Sequence, residues 1–340
     1  MAAPLIVNLS RSGKAGEKTG YFDFRLGERL RQVQYTCDPR NAIERLIKRP
    51  MLSRIRGGYE AGARAGRASA ALLVSHDPRV TFAAEYWAHR FGYQGPHLAM
   101  SFNFPALPTG FRAKMMRRAF ARIDRFVTYS RMEVDLYSRE YDLPPERFTF
   151  KHWGVQPPAS VPESQPVISG DYVCALGENA RDYALLAEAA RRLPGIKFVW
   201  VVRPYNLNGI DVPENVTVRF NIPRGEAMNI LKYSRFMTLA LKHSRVPCGH
   251  VTLVAAMYFC KTTVCTASVG VDDYLVDGET GVITESGSPQ AMAEAIEDLW
   301  ENREKADLYG ERSLAFAQKN CTEDSIYEWY VGYLQEKKIL

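Results

Sequence analysis

The residues best placed to do chemistry in this chain stand in one stretch, VPCGHVTLVAAMYFCKTTVCTASVGVDDYLVDGETG, residues 246–281. It reads as a Gly-containing turn, an apolar helix from Val251 to Phe259, a β-branched strand from Thr262 to Thr266, then a Gly turn and a polar hairpin ending in DGETG. A helix that starts at such a turn presents unpaired N–H groups and the positive end of its dipole to an anion. Gly249 permits close backbone approach, and Thr252 adds a hydroxyl. No carboxylate occurs from 227 to 271, a run of 45 residues holding Lys232, Arg235, Lys242, His243, Arg245, His250 and Lys261. Such a segment suits a diphosphate. The plain alternative is a core helix behind an ordinary turn, with solvated cations around it.

Two further segments carry candidate chemistry. Gly177 follows an apolar strand, and Arg181 comes four residues later, just before a helix. A guanidinium there can hold a diphosphate through two parallel hydrogen bonds; otherwise it is a surface arginine at a helix start. SRSGKAGEKTG (10–20) follows the first strand and makes Gly13, Lys14 and Gly16 candidates for donor or acceptor contact. It lacks the GxxxxGK[ST] spacing, so nucleoside-triphosphate hydrolysis is not expected. No GxGxxG follows a strand, which disfavours a dinucleotide oxidoreductase. The six cysteines form no CxxC pair and read as small buried hydrophobes. No Ser-His-Asp or metal-ligand cluster stands out, so no metal or other cofactor is expected.

The elements that must position these residues alternate along the chain. Apolar strands are expected at 5–9, 33–37, 71–76, 98–102, 125–129 and 148–152, then at 172–176, 197–202, 216–220, 236–241 and 262–266. Helical patterns fall between them, as at 183–193, and beyond the last, at 291–301, where Ser288 can cap and Pro289 suits the first turn. This alternation predicts α/β architecture with parallel sheets covered by helices on both faces. VQPPASVPESQP (155–166) holds four prolines and marks a linker. The expected domains are 1–155 and 167–322, with a C-terminal helix over 323–340 that returns to the first. Ligands in such sheets lie beyond the carboxyl ends of strands.

Charge divides the chain as well. Residues 1–155 carry 26 Lys+Arg against 14 Asp+Glu, and 156–340 carry 18 against 24. A polyanionic partner is therefore expected for the first half. IERLIKRPMLSRIRGG (43–58) and FRAKMMRRAFARIDRF (111–126) concentrate the positive charge. The second interleaves Met115, Met116, Phe120 and Ile123 with Lys114, Arg117, Arg118, Arg122 and Arg125. It either lies on an anionic membrane or packs its apolar face into its own domain. Nucleic acid is not expected, because no recognised binding module is present. The N-terminus reads as a strand and no apolar run suits a membrane span, so a cytoplasmic setting is expected, peripheral on the inner face of the membrane where an acceptor requires it.

Four segments together resemble the retaining glycosyltransferases with two Rossmann-like domains, the GT-B fold, and family 4 in particular. DRFVTYSRMEVDLYSREYDLPPERFTFKHWGV resembles the end of the family's first domain, and YVCALGENARDYALLAEAARRLPGIKFVWVV the opening of its second. NIPRGEAMNILKYSRFMTLAL, with Ile222, resembles the base-binding loop, and 246–281 the donor-binding segment. The resemblance implies two doubly wound domains facing a central cleft and transfer of a sugar from a nucleotide-sugar donor to a glycan or lipid-linked acceptor, as in polysaccharide biosynthesis. It implies donor contacts from Gly177, Arg181, Ile222, Lys242, Cys248, Gly249, His250, Val251 and Thr252. It also puts Asn103 where the family often has a histidine facing the donor sugar, so Arg181 and Asn103 are the expected catalytic residues; His76 is a further cleft candidate. The chain departs from the pattern at the family's two glutamates, where it has Pro247 and Ala255, with no local acid to replace them. Either ribose recognition differs, or the chain is a catalytically weak or inactive binding subunit.

Overall fold

The computed structural model describes residues 3–13, 15–17, 22–46, 51–155 and 165–340. Lys14, most of the Pro-rich stretch, and Lys48 and Arg49 of the first basic segment lie outside the described residues. The chain forms two compact units, residues 1–151 with 326–340, and residues 152–325.

In the first unit the strands are β1 (Leu5–Ser10), β2 (Gly16–Glu17), β3 (Arg31–Thr36), β4 (Leu72–His76), β5 (His97–Met100), β6 (Arg125–Thr128) and β7 (Phe148–Phe150). They lie in the order β2-β3-β1-β4-β5-β6-β7. All neighbours are parallel except β2, which runs antiparallel on the edge beside β3. The main helices here are α1 (Met51–Arg67), α2 (Pro78–Arg90), α3 (Gly110–Phe120) and α4 (Arg131–Tyr141). The order reverses between β1, which leads to β3, and β4, which leads to β5. That makes the carboxyl ends of β1 and β4 the switch point of this sheet.

In the second unit, β8 (Val173–Leu176), β9 (Phe198–Val202), β10 (Val216–Phe220), β11 (Phe236–Leu239), β12 (Thr263–Thr266) and β13 (Val282–Thr284) form a parallel sheet ordered β10-β9-β8-β11-β12-β13. The helices are α5 (Tyr183–Arg191), α6 (Arg224–Tyr233), α7 (His250–Tyr258), α8 (Pro289–Glu301) and α9 (Arg303–Asn320). Ser288 caps α8 by accepting from the Ala291 N–H. The switch point lies between β8 and β11. A final helix, α10 (Glu323–Glu336), passes from the second unit back into the first, where Tyr330 and Leu334 are buried among Ile6, Phe22 and Leu72.

Every expected strand is present within a few residues of its expected ends, and β2 and β13 are additional. β2 corrects the reading of 10–20 as one Gly-rich loop, since Gly16 pairs with Gln34 in a ladder. The expected polar hairpin before DGETG is instead a series of turns: Gly278 donates to the Gly281 carbonyl, and β13 then joins the sheet parallel to β12. In α3, Met116, Phe120 and the following Ile123 are fully buried inside the first unit. Most of the apolar face is therefore spent on the core, while the basic face, Phe111, 77% exposed, and the half-buried Met115 meet solvent.

Candidate functional site

The second unit holds a cavity of about 520 Å³ at the carboxyl ends of β8, β9 and β10. Its wall includes Gly177, Glu178, Arg203, Asn221, Ile222, Arg224, Met228, Val251, Thr252 and Ala255. Apolar strands end here because their next residues are polar: Gly177-Glu178 after β8, Arg203 after β9 and Asn221 after β10.

Arg181 organises one side. It is 8% exposed. Its Nε donates to the Leu176 carbonyl at 3.1 Å, Nη1 to the Asn179 carbonyl at 2.8 Å, and Nη2 to Thr252 Oγ1 at 3.0 Å. The Cys248 thiol also bonds the Asn179 carbonyl, at 3.3 Å. One guanidinium thus ties the loop after β8 to the start of α7. Gly177 makes room for it: φ is +114°, and a Cβ there would stand 2.6 Å from Nη2. The Gly177 carbonyl accepts from Tyr183 at 2.8 Å. Most of Arg181's donors are committed to protein oxygens, and through Thr252 its charge stays close to the cavity.

Gly249, at φ +98°, caps α7 with no side-chain partner for the first N–H groups. Val251, 53% exposed, and Thr252 put that helix start on the cavity wall. His250 is turned the other way. Its ring stacks on Tyr274 with centroids 4.5 Å apart, and its Nε2 donates to the Gly270 carbonyl at 3.2 Å. Burial pushes its pKa down to about 4, so the cationic role expected of its side chain is lost near neutral pH and only its backbone remains eligible. Lys242 is exposed, and its N–H pairs with the Ala180 carbonyl.

The sequence reading missed Glu178. No acid was expected near Ala255, yet both residues line the same cavity. One carboxylate oxygen, Oε2, accepts from Arg203 Nε at 3.0 Å and from the Tyr205 hydroxyl at 3.0 Å. Arg203 also donates to Asn221 Oδ1 at 2.8 Å. Among the described residues Oε1 has no partner. A signal was available: a charged residue follows directly on the buried runs VCALG and FVWVV.

The first-unit candidates each have their own partners among the described residues. Asn103 donates to Glu133 at 2.6 Å, and Glu133 also accepts from Tyr137, Ser130 and the Tyr129 N–H. Burial raises the Glu133 pKa, and these donors offset it in part. Gly13 donates its N–H to Asp38 at 3.2 Å. His76 ends β4, with its pKa lowered to about 4 by burial. A serine-histidine-acid set that the sequence did not reveal is also present. Ser75 Oγ lies 2.8 Å from His97 Nε2, and His97 Nδ1 lies 2.7 Å from Glu85. All three are at most 5% exposed, and Arg122 closes the network on Glu85. Burial alone would raise Glu85, but hydrogen bonds from His97 and Arg122 lower its pKa. With no access to a substrate this set is structural. Among the described residues no group of three or more His, Cys, Asp or Glu is placed to hold a metal ion, and no helix is long and apolar enough to cross a membrane.

Comparison with known proteins adds to this geometry. A search of curated proteins found no match. Sucrose-phosphate synthase from Thermosynechococcus elongatus superposes with a TM-score of 0.72 at 13% identity, covering 98% of each chain. The Anabaena protein HepE, solved with UDP-glucose, gives 0.69 at 14% identity over 98% of this chain and 100% of that one. Trehalose 6-phosphate synthase from Burkholderia multivorans gives 0.68 at 10% identity over 99% of both. At these identities the likeness establishes the fold, a two-domain GT-B architecture. Residues 209–315, which supply Ile222, Arg224, Met228, Val251, Thr252 and Ala255 to the cavity, match the family model "Glycosyl transferases group 1".

Proposed function

We propose that this protein is a nucleotide-sugar-dependent glycosyltransferase that moves a sugar to a glycan or lipid-linked acceptor with retention of configuration. The observation that carries this reading is the cavity at the carboxyl ends of β8 to β10, bordered by the α7 N-terminus inside the segment that matches the glycosyl transferases group 1 model. The complex of HepE with UDP-glucose supports a uridine-diphosphate sugar as the first donor to try.

In this reading Ile222 and Met228 form the apolar wall for the base, and Glu178 Oε1 accepts from a ribose hydroxyl. The N–H groups at the start of α7 meet the diphosphate, and Arg181 fixes the loop around it. The bond from the sugar anomeric carbon to the diphosphate breaks with its electron pair on the leaving oxygen, and the acceptor hydroxyl oxygen takes its place on the same face, giving its proton to the leaving diphosphate. The helix dipole, Lys242 and the nearby guanidinium stabilise the leaving charge without a metal; preorganised donors of this kind supply roughly 10²–10³ in rate each. The acceptor side belongs to the first unit. There Ile43, Leu46, Leu52 and Ile55 are exposed within the basic segment 43–58 and suit contact with an anionic membrane face.

The test is calorimetric titration with UDP, followed by donor hydrolysis and transfer assays with a panel of nucleotide sugars. Turnover of any donor supports the enzyme. Tight binding with no turnover of any donor moves the reading to a binding subunit, and absence of nucleoside-diphosphate binding overturns it.

A further inference from the structure

A cavity of about 620 Å³ opens at the amino ends of the first unit's strands. Its wall takes Gln94 and Pro96 from the approach to β5, Arg122 and Asp124 from the turn before β6, Arg147 from just before β7, and Lys337 from the end of α10. All six belong to the first unit. This edge of the sheet is opposite the carboxyl ends of β1 and β4, where the strand order reverses.

Three cations share this wall with one carboxylate. Asp124 is fully engaged: Oδ2 accepts from the Tyr333 hydroxyl at 2.8 Å and Oδ1 from Lys337 Nζ at 3.0 Å. The cations keep donors in reserve. Arg122 gives Nε to Glu85 at 2.9 Å and Nη1 to the Arg118 carbonyl at 3.0 Å, and its Nη2 has no partner among the described residues. Arg147 gives both Nη groups to the Ala121 carbonyl at 3.1 Å and one of them to Ile123 as well, just past the end of α3; its Nε has no partner among the described residues. Lys337 Nζ carries three N–H groups and meets two carboxylates, Asp124 and Glu336. The Gln94 amide is exposed and adds another donor. The acids beyond the wall are themselves shared, Glu85 with His97 at 2.7 Å and Glu336 with Arg125 at 3.4 Å. Burial lowers the Arg147 pKa and Asp124 opposes the shift, so this guanidinium gains from a further anion. The unspent capacity of the wall is therefore donor capacity carrying positive charge, and its complement is an oxyanion.

The cations come from three separate elements, the turn after α3, the approach to β7 and the end of α10. The volume falls within the roughly 300–1,000 Å³ of small-molecule sites. Spaced cations in such a volume suit a ligand with more than one anionic group. We propose that this cavity is a binding site for a small multivalent organic anion, a polycarboxylate or a sugar bisphosphate, separate from the cavity of the second unit. The anionic oxygens take Arg122 Nη2, Arg147 Nε and the remaining Lys337 N–H. Arg122 is also the cation on the buried Glu85–His97–Ser75 set, so the bound anion shares a guanidinium with that network. The site lies wholly in the first unit and does not depend on the nucleotide reading.

The experiment is calorimetric titration of the full-length protein at low ionic strength with citrate and with glucose 1,6-bisphosphate, comparing wild type, Gln94→Glu, Gln94→Lys and Arg122→Gln. Gln94 is exposed, so its substitutions keep the fold and change the charge of the wall. Gln94→Glu should weaken anion binding roughly 3- to 10-fold, and Gln94→Lys should strengthen it by a similar factor. Arg122→Gln removes a charge-assisted contact and should weaken it about tenfold or more. Tighter binding of citrate identifies a polycarboxylate; tighter binding of the bisphosphate, with the same order of variants, identifies a phosphate ester. Absence of binding of both probes to wild type overturns the proposal, and so do equal affinities in wild type and the two Gln94 variants. If Arg122→Gln does not fold, the Gln94 pair decides. A parallel UDP titration separates the two cavities. UDP affinity should be equal in wild type and both Gln94 variants, and a change that matches the change in anion affinity would place the anion in the second unit and overturn the proposal.

Discussion

Replacing Arg181 by alanine tests whether this side chain is the staple between the loop after β8 and α7. The wild-type guanidinium makes three hydrogen bonds at 2.8–3.1 Å from a site only 8% exposed. A hydrogen bond to a charged group contributes about 1.5–3 kcal/mol. The three share one cation, and water refills part of the space, so their sum is not additive; about 3–5 kcal/mol is expected, the range seen when a buried charged contact is broken. For a unit spanning His152–Ser325, that corresponds to a drop in Tm of roughly 6–20 °C. Differential scanning calorimetry reads the stability. UDP titration well below the variant's Tm reads the site, where the misplaced α7 start should weaken binding at least about tenfold. Arg181→Lys keeps the charge but not the planar fork, so it should recover part of the affinity and little of the stability. An alanine variant melting within ~2 °C of wild type would show that the guanidinium does not hold these loops together.

Gly249→Ala places a side chain where φ is +98° and a Cβ would stand 3.1 Å from Leu239, so a loss of about 1–3 kcal/mol is expected, together with weaker UDP binding; unchanged urea unfolding would refute it. His250 titrates near 4 when folded and near 6.5 when unfolded. The unfolded state therefore binds the proton first, and about 3 kcal/mol of stability is lost as pH falls from 6.5 to 4. His250→Asn should flatten that part of the stability–pH curve, and an identical pH slope in both proteins would argue against a neutral buried ring. Removing the ribose 2′-hydroxyl from UDP and changing Glu178 to Gln should be coupled by about 1 kcal/mol in a double-mutant cycle; additive losses would remove Glu178 from the ribose contact. Leu46→Glu with Ile55→Glu should abolish capture on phosphatidylglycerol vesicles, and equal capture of both proteins would move any membrane contact elsewhere.

The alternation of short apolar runs with helical patterns was enough to place every expected strand, because buried parallel strands must be continuously apolar. The Gly249 turn was equally legible, since only a residue tolerant of positive φ fits before that helix. Chain order also put Gly177 and Ile222 on strand-end loops and Val251 and Thr252 at the start of a helix after a loop. Tertiary structure decided what those loops do. Arg181 read as a ligand contact, but its donors face the neighbouring Leu176 and Asn179 carbonyls and the hydroxyl of Thr252, 71 positions away. His250 read as a cation, but Tyr274 and Gly270, distant in sequence, enclose it and remove its charge. Glu178 was invisible as a partner of the cavity because the helix that lacks an acid, at Ala255, and the strand end that supplies one are 77 positions apart. The same holds in the first unit, where the basic stretch at 43–58 gives no hint that Arg56 is held by Glu44, Glu60 and the Asp38 carbonyl. The register of α1 on α2 is equally non-local, set by Gly58, Gly62 and Gly66 against Ala83, Trp87 and Phe91. Periodicity and turn chemistry are local and survive in a one-dimensional reading; which polar group ends up satisfied depends on contacts that only the packed chain creates.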